Sequence, residues 1–80
     1  MRLDLVLKQS GIIKRRTIAK ELADNGRILV NDKVGKPSTE IKDGDIITAK
    51  LGKRESKVVI HFVTKGKREI PTFEVIENEN

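Results

Sequence analysis

The stretch IIKRRTIAKELADNGRI, residues 12–28, sets Lys14, Arg15 and Arg16 in a row and adds Lys20 one helical turn after Arg16. Like charges at i and i+4 destabilise a helix by a few tenths of a kcal/mol, so this repulsion calls for a counter-charge. Arg offers phosphate a planar fork and Lys a compact point charge. Free N–H groups at a helix N-terminus suit the same ligand, whereas cations there oppose the helix dipole. An anion held between the cations and the helix end resolves both conflicts. A solvated basic face is the plainer alternative.

Other chemistries find little support. His61 is the single histidine, and it lies inside the β-branched run VVIHFV, where it reads as a strand-face residue. There is no Cys, so thiolate ligands, disulfides and a thiol nucleophile are excluded. No Ser stands in a nucleophile elbow. Asp43 and Asp45 flank Gly44 and belong to a turn rather than to an acid/base pair. One His without Cys argues against a metal site, and the glycines follow neither phosphate-binding nor dinucleotide-binding spacing. No catalytic residue, metal or cofactor is therefore expected. Phe62 and Phe73 are the only aromatics, and both fall in expected strands, where they read as core. Readers of unpaired bases stack them on aromatic rings. An RNA partner would thus be folded RNA, gripped through phosphates and shape.

The positioning elements follow from periodicity. Residues 2–9 read as a short helix, with Leu3, Val6 and Leu7 on one stripe before Ser10-Gly11. Residues 15–25 read as a second helix, with Ile18, Ala19, Leu22 and Ala23 on one apolar arc and Asn25-Gly26 as its stop. Thr17 is placed to cap its start. At about 100° per residue, Arg16 and Lys20 fall about 40° apart beside the arc. Lys14 and Arg15 precede the regular helix. Asp4 reads as structural, orienting Arg2 or capping the first helix.

From Arg27 the period changes to two. Strand signals cover 28–30, 33–34, 46–49, 57–63 and 72–76. Turns are expected at Asn31-Asp32, Asp43-Gly44, 52–55 and 64–69, and a frayed tail at 77–80. The expected architecture is α+β: two N-terminal helices packed on a small, mostly antiparallel sheet of four to five strands.

Charge is unevenly spread. Residues 1–36 carry nine Lys or Arg against four acids, and residues 37–80 carry eight of each, so the first half holds the whole +5 excess. A one-sided basic patch is the footprint of a nucleic-acid binder. The candidate contacts are Arg2, Lys8, Lys14, Arg15, Arg16, Lys20, Arg27 and Lys36, with Lys33 in the intervening turn. No apolar run approaches the roughly 18 residues of a membrane span. Met-Arg-Leu-Asp lacks the apolar core of a secretory signal, so a cytoplasmic protein is expected.

Residues 1 to about 50 resemble an S4 RNA-binding domain. The matching features are R-L-D at Arg2 to Asp4, the basic pair before the second helix, and Gly26 to Asn31. Lys36-Pro37-Ser38 and the Asp43-Gly44-Asp45 turn match as well. Among S4 proteins the chain resembles the heat-shock protein 15 family, in its short branch of the ribosome quality control factor P type. The resemblance implies an S4 (αL-motif) domain over 1–50; residues 51–80 match no motif of the family and read, from their strand pattern, as a C-terminal β-hairpin extension of the same domain. It implies a non-catalytic monomer that binds the large ribosomal subunit through 23S rRNA, together with peptidyl-tRNA. The implied role is support of nascent-chain elongation in ribosome-associated quality control, without a membrane partner. Carried over to this chain, Arg2 and Arg16 lead as RNA contacts, followed by Lys14, Arg15 and Lys20. Gly26 and Asn31 take structural roles. Leu5 departs from the family, which often has Lys there. The alternatives are an S4 module of an RNA-modifying enzyme, a general large-subunit assembly factor, or a protein-interaction module that uses a sheet edge.

Overall fold

The first helix, α1 (Leu3–Gln9), buries Leu3, Val6 and Leu7 completely, as their spacing predicts. Each such side chain contributes about 1.5–3 kcal/mol on burial. The computed structural model describes the backbone of residues 1–79 and the side chains of residues 1–77. No side chain caps α1. Instead the amides of Leu3 and Asp4 donate to the carbonyls of Thr39 (2.8 Å) and Pro37 (3.2 Å), which satisfies two of the orphan donors of the first turn. Asp4 is not the N-cap residue, but its Oδ1 accepts a third first-turn amide, Leu5 N–H, at 2.9 Å.

The second helix, α2 (Arg16–Asp24), buries Ala19 and Ala23 and half-buries Leu22. Ile18, expected on the buried arc, is 43% exposed. The two alanines let α2 approach closely along their own side, and Ile18 stands at the far margin of that arc. Thr17 does not cap the helix. The N-cap is Arg15, without a side-chain hydrogen bond, and Ala19 N–H donates to the Arg15 carbonyl at 3.1 Å. The stop is as expected. Gly26, at φ 71°, donates to Ala23, and Arg27 donates to Leu22. That pair of bonds is a Schellman ending, which needs a left-handed residue at Gly26.

Five strands follow: β1 (Ile28–Val30), β2 (Lys33–Val34), β3 (Ile46–Leu51), β4 (Arg54–Lys65) and β5 (Arg68–Glu79). They form one antiparallel sheet in the order β2-β1-β3-β4-β5. This bears out the expected fold class. Two-residue turns join three of the pairs, at Asn31-Asp32, Gly52-Lys53 and Gly66-Lys67. Asn31 and Asp32 both take positive φ, 50° and 68°, the conformation that two-residue hairpins favour.

The last hairpin is longer than its sequence pattern suggests. The loops expected at 52–55 and 64–69 shrink to two residues each, and Glu77 to Glu79 belong to β5 rather than to a tail. Asn80 lies outside the described residues. Beyond the helices most residues on both faces of this hairpin are exposed, so no apolar alternation marks it. Phe62 packs half-buried against the core, but Phe73, also expected in the core, is 39% exposed on the outermost strand.

The core lies between the helices and one sheet face, where Ile28, Ile47, Ala49, Val58 and Ile60 meet the α1 side chains. On the opposite face Thr48 pairs with Leu29 and Lys57 and is 1% exposed. Its Oγ1 has no hydrogen-bond partner among the described residues. A buried unpaired hydroxyl is destabilising by about 1–3 kcal/mol. Thr48→Val keeps the β-branched shape and is expected to raise the melting temperature by several degrees, about 4–8 °C per kcal/mol gained. A thermal melt followed by circular dichroism checks this; an unchanged or lower midpoint would show that the hydroxyl is satisfied.

Candidate nucleic-acid interface

Arg2 ends up beside α2 because α1 starts against the 37–41 segment. Met1 O accepts from Ile41 N–H at 2.8 Å, and Leu3 N–H donates to Thr39 O at 2.8 Å, so Arg2 is held on both sides. It forms an isolated antiparallel bridge with Glu40. Gly35 lets this happen, because a Cβ there would lie 2.8 Å from Leu3 Cδ2 and 2.9 Å from Val30 Cγ2.

The result is an open hollow of about 360 Å³ lined by Arg2, Asp4, Arg16, Thr17 and Lys20. Asp4 forms its floor with a side chain only 3% exposed. Arg2 Nε lies 3.4 Å from Asp4 Oδ1, and Arg16 Nε donates to Oδ2 at 3.4 Å. Asp4 therefore contacts both arginines rather than Arg2 alone. The first turn of α2 holds no acid and no capping side chain, so its positive end meets cations and no carboxylate of its own. Arg2, Arg16 and Lys20 thus surround one hollow at the acid-free start of α2.

A second hollow adjoins it through Arg2 and is lined by Val34, Gly35, Lys36, Pro37 and Ser38 together with Ala23, Asp24 and Gly26. Lys36 thus reaches the same surface from the loop after β2. The Thr39 hydroxyl shapes that loop by accepting from Lys36 N–H at 2.8 Å. Lys8, Lys14, Arg15 and Arg27 are exposed but line neither hollow. Lys8 stands in the last turn of α1, Lys14 and Arg15 on the approach to α2, and Arg27 just past its end. No aromatic lines either hollow. His61 sits on β4, with ring nitrogens 4.0 Å from Asp43 and 3.9 Å from Glu74.

The Asn31 side chain ties the hairpin to the following turn. Its Nδ2 donates to Asp45 at 3.1 Å, and its Oδ1 accepts from Ile46 N–H at 3.0 Å. Sequence reasoning missed the bond between Asp4 and Arg16, which are twelve positions apart with no local pattern linking them. Thr17 and Ser38 as lining residues were also missed; their short polar side chains beside cations were the only signal.

Residues 1–47, which contain both helices, the β1–β2 hairpin and every lining residue of the two hollows, match the S4 domain. The chain belongs to the S4 domain family. Its S4 relatives include the RQC P-site tRNA stabilizing factor of Bacillus subtilis, 39% identical over 99% of this chain and 95% of that protein. The RQC P-site tRNA stabilizing factor of Listeria innocua is 52% identical over 85% of this chain and 90% of its own length. Among solved structures, Heat Shock Protein 15 of Vibrio cholerae superposes with a TM-score of 0.74 at 24% identity, covering 92% of this chain and 81% of that one. That likeness shows the shared S4 fold.

Proposed function

We propose that this S4 protein is a non-catalytic, monomeric RNA-binding factor of the large ribosomal subunit. It grips phosphates of 23S rRNA and of peptidyl-tRNA on obstructed subunits. By steadying that tRNA it supports nascent-chain elongation in ribosome-associated quality control, in the cytoplasm. The names of its relatives support the tRNA and the pathway. Residues 1–50 serve as the RNA-binding unit, and residues 51–80 extend the same domain as a β-hairpin.

The observation that carries the reading is the gathering of Arg2, Arg16 and Lys20 around one hollow beside the acid-free start of α2. Such a surface recognises backbone phosphate and carries little base readout, because it lacks a stacking ring. Lys36 extends the contact along the adjoining hollow, and Lys8, Lys14, Arg15 and Arg27 add a wider field that attracts RNA. Affinity then falls steeply with salt, through release of counterions from the phosphates.

Affinity purification of the protein from cells with stalled translation, followed by sequencing of the bound RNA, tests this. Large-subunit RNA together with tRNA is the expected recovery. Small-subunit RNA alone, or association that resists both nuclease and high salt, would overturn it.

A further inference from the structure

Asp4 places a negative charge under a surface that is otherwise built for anions. Its side chain is 3% exposed, while those of Arg2 and Arg16 are 49% and 51% exposed. Both arginines reach it through Nε, one on each carboxylate oxygen, at 3.4 Å. Oδ1 also accepts from Leu5 N–H at 2.9 Å, which fixes the carboxylate on α1. Both guanidinium groups nevertheless stay half exposed at the hollow, open to a ligand.

We propose that Asp4 is a positioning residue for the phosphate site. It holds two guanidinium groups beside one hollow while leaving both half exposed to the ligand. This inference rests on the reading of the hollow as a phosphate site.

Two effects of opposite sign compete at Asp4. By charge alone, neutralising it removes a repulsion and strengthens binding. That repulsion acts across an open hollow beside half-exposed arginines, where water weakens it to roughly fivefold or less. By positioning, losing it frees two long side chains that must then be ordered when phosphate arrives. Ordering such side chains weakens association by roughly twofold to tenfold each. The second effect is the larger, so removal of a negative charge is expected to weaken binding to a polyanion.

The test measures binding to purified large ribosomal subunits by co-sedimentation across a salt series. Asp4→Asn keeps the size of the side chain and the oxygen that takes the Leu5 amide. It is expected to bind roughly fivefold to thirtyfold more weakly than the native protein, with a salt slope no steeper. In an Arg16→Ala background, where one arginine fewer needs holding, the same change is expected to weaken binding by less than about threefold. Native or tighter binding by Asp4→Asn, or an equal loss in both backgrounds, overturns the inference. If Arg16→Ala itself binds as the native protein does, the phosphate reading fails and this inference with it. A weak Arg16→Ala beside a native-like Asp4→Asn sinks only the positioning role. A measurement on the unsubstituted protein guards against a variant that does not fold. In the free protein, ¹⁵N relaxation of the arginine Nε–H groups should show Arg2 and Arg16 more ordered than Arg27, and equal mobility overturns the proposal.

Discussion

Arg16→Ala is expected to weaken binding to large ribosomal subunits by about tenfold to thirtyfold near physiological salt. It should also lower the slope of log K against log salt by about 0.7–0.9. Arg16 is the first residue of α2, and its guanidinium lines the hollow with Arg2 and Lys20. A charge-assisted hydrogen bond contributes about 1.5–3 kcal/mol, and the lower part of that range applies because the side chain is half exposed. Each phosphate that loses its cation retains its counterions, which is why the slope changes together with the affinity. The fold should tolerate the change, because Asp4 keeps Arg2 and the Leu5 amide as partners. Arg27→Ala is the comparison: Arg27 carries the same charge but lines neither hollow, so its effect is expected to be smaller. Co-sedimentation at several salt concentrations, with melting curves for each variant, checks both. Equal losses from Arg16→Ala and Arg27→Ala would mean that a diffuse field, rather than the hollow, does the binding.

Gly35→Ala is expected to be destabilising by about 1–3 kcal/mol, the usual range for overpacking a closed site. For a domain of this size that lowers the melting midpoint by roughly 5–15 °C. Gly35 is buried, and its N–H donates to Ile28 O at 2.8 Å. Its φ is not in the left-handed region, so alanine fits the backbone and the strain is steric. The added methyl would meet Leu3 Cδ2 and Val30 Cγ2 at under 3.0 Å. Leu3 is fully buried and Val30 is stiff at χ1, so neither can move far. Val30→Ala removes one of the two obstacles. In that background the penalty for Gly35→Ala should shrink by about 0.5–1.5 kcal/mol, which a double-mutant cycle measures. Additive losses would place the strain elsewhere. Because Leu3 follows Arg2 directly, the clash should also shift Arg2 relative to Arg16 and weaken RNA binding.

Much of this protein is legible in short stretches of its sequence. Leu3, Val6 and Leu7 announce one buried helix face because residues at i, i+3 and i+4 stack on one side. Asn25-Gly26 and Asn31-Asp32 announce a helix stop and a tight turn because few other residues take positive φ at low cost. The placement of Arg16 and Lys20 on a common side is pure helix geometry, and the surplus of positive charge in residues 1–36 is a matter of counting.

Tertiary structure decided the remainder. Ile18 is exposed because the alanine side of α2 sets the approach to the core, which the helix pattern alone does not rank. The β4–β5 hairpin extends past its apolar segment because backbone pairing is indifferent to side chains where both faces are wet. Phe73 stays exposed because it falls on an edge strand. The candidate site itself comes from long-range contact. Arg2 reaches Arg16 only because residues 37–41 hold the chain start in place and a buried carboxylate lies between the two arginines. Local sequence determines which residues carry charge and which way each helix faces; the meeting of two helices around Asp4 is a property of packing, which no local pattern encodes.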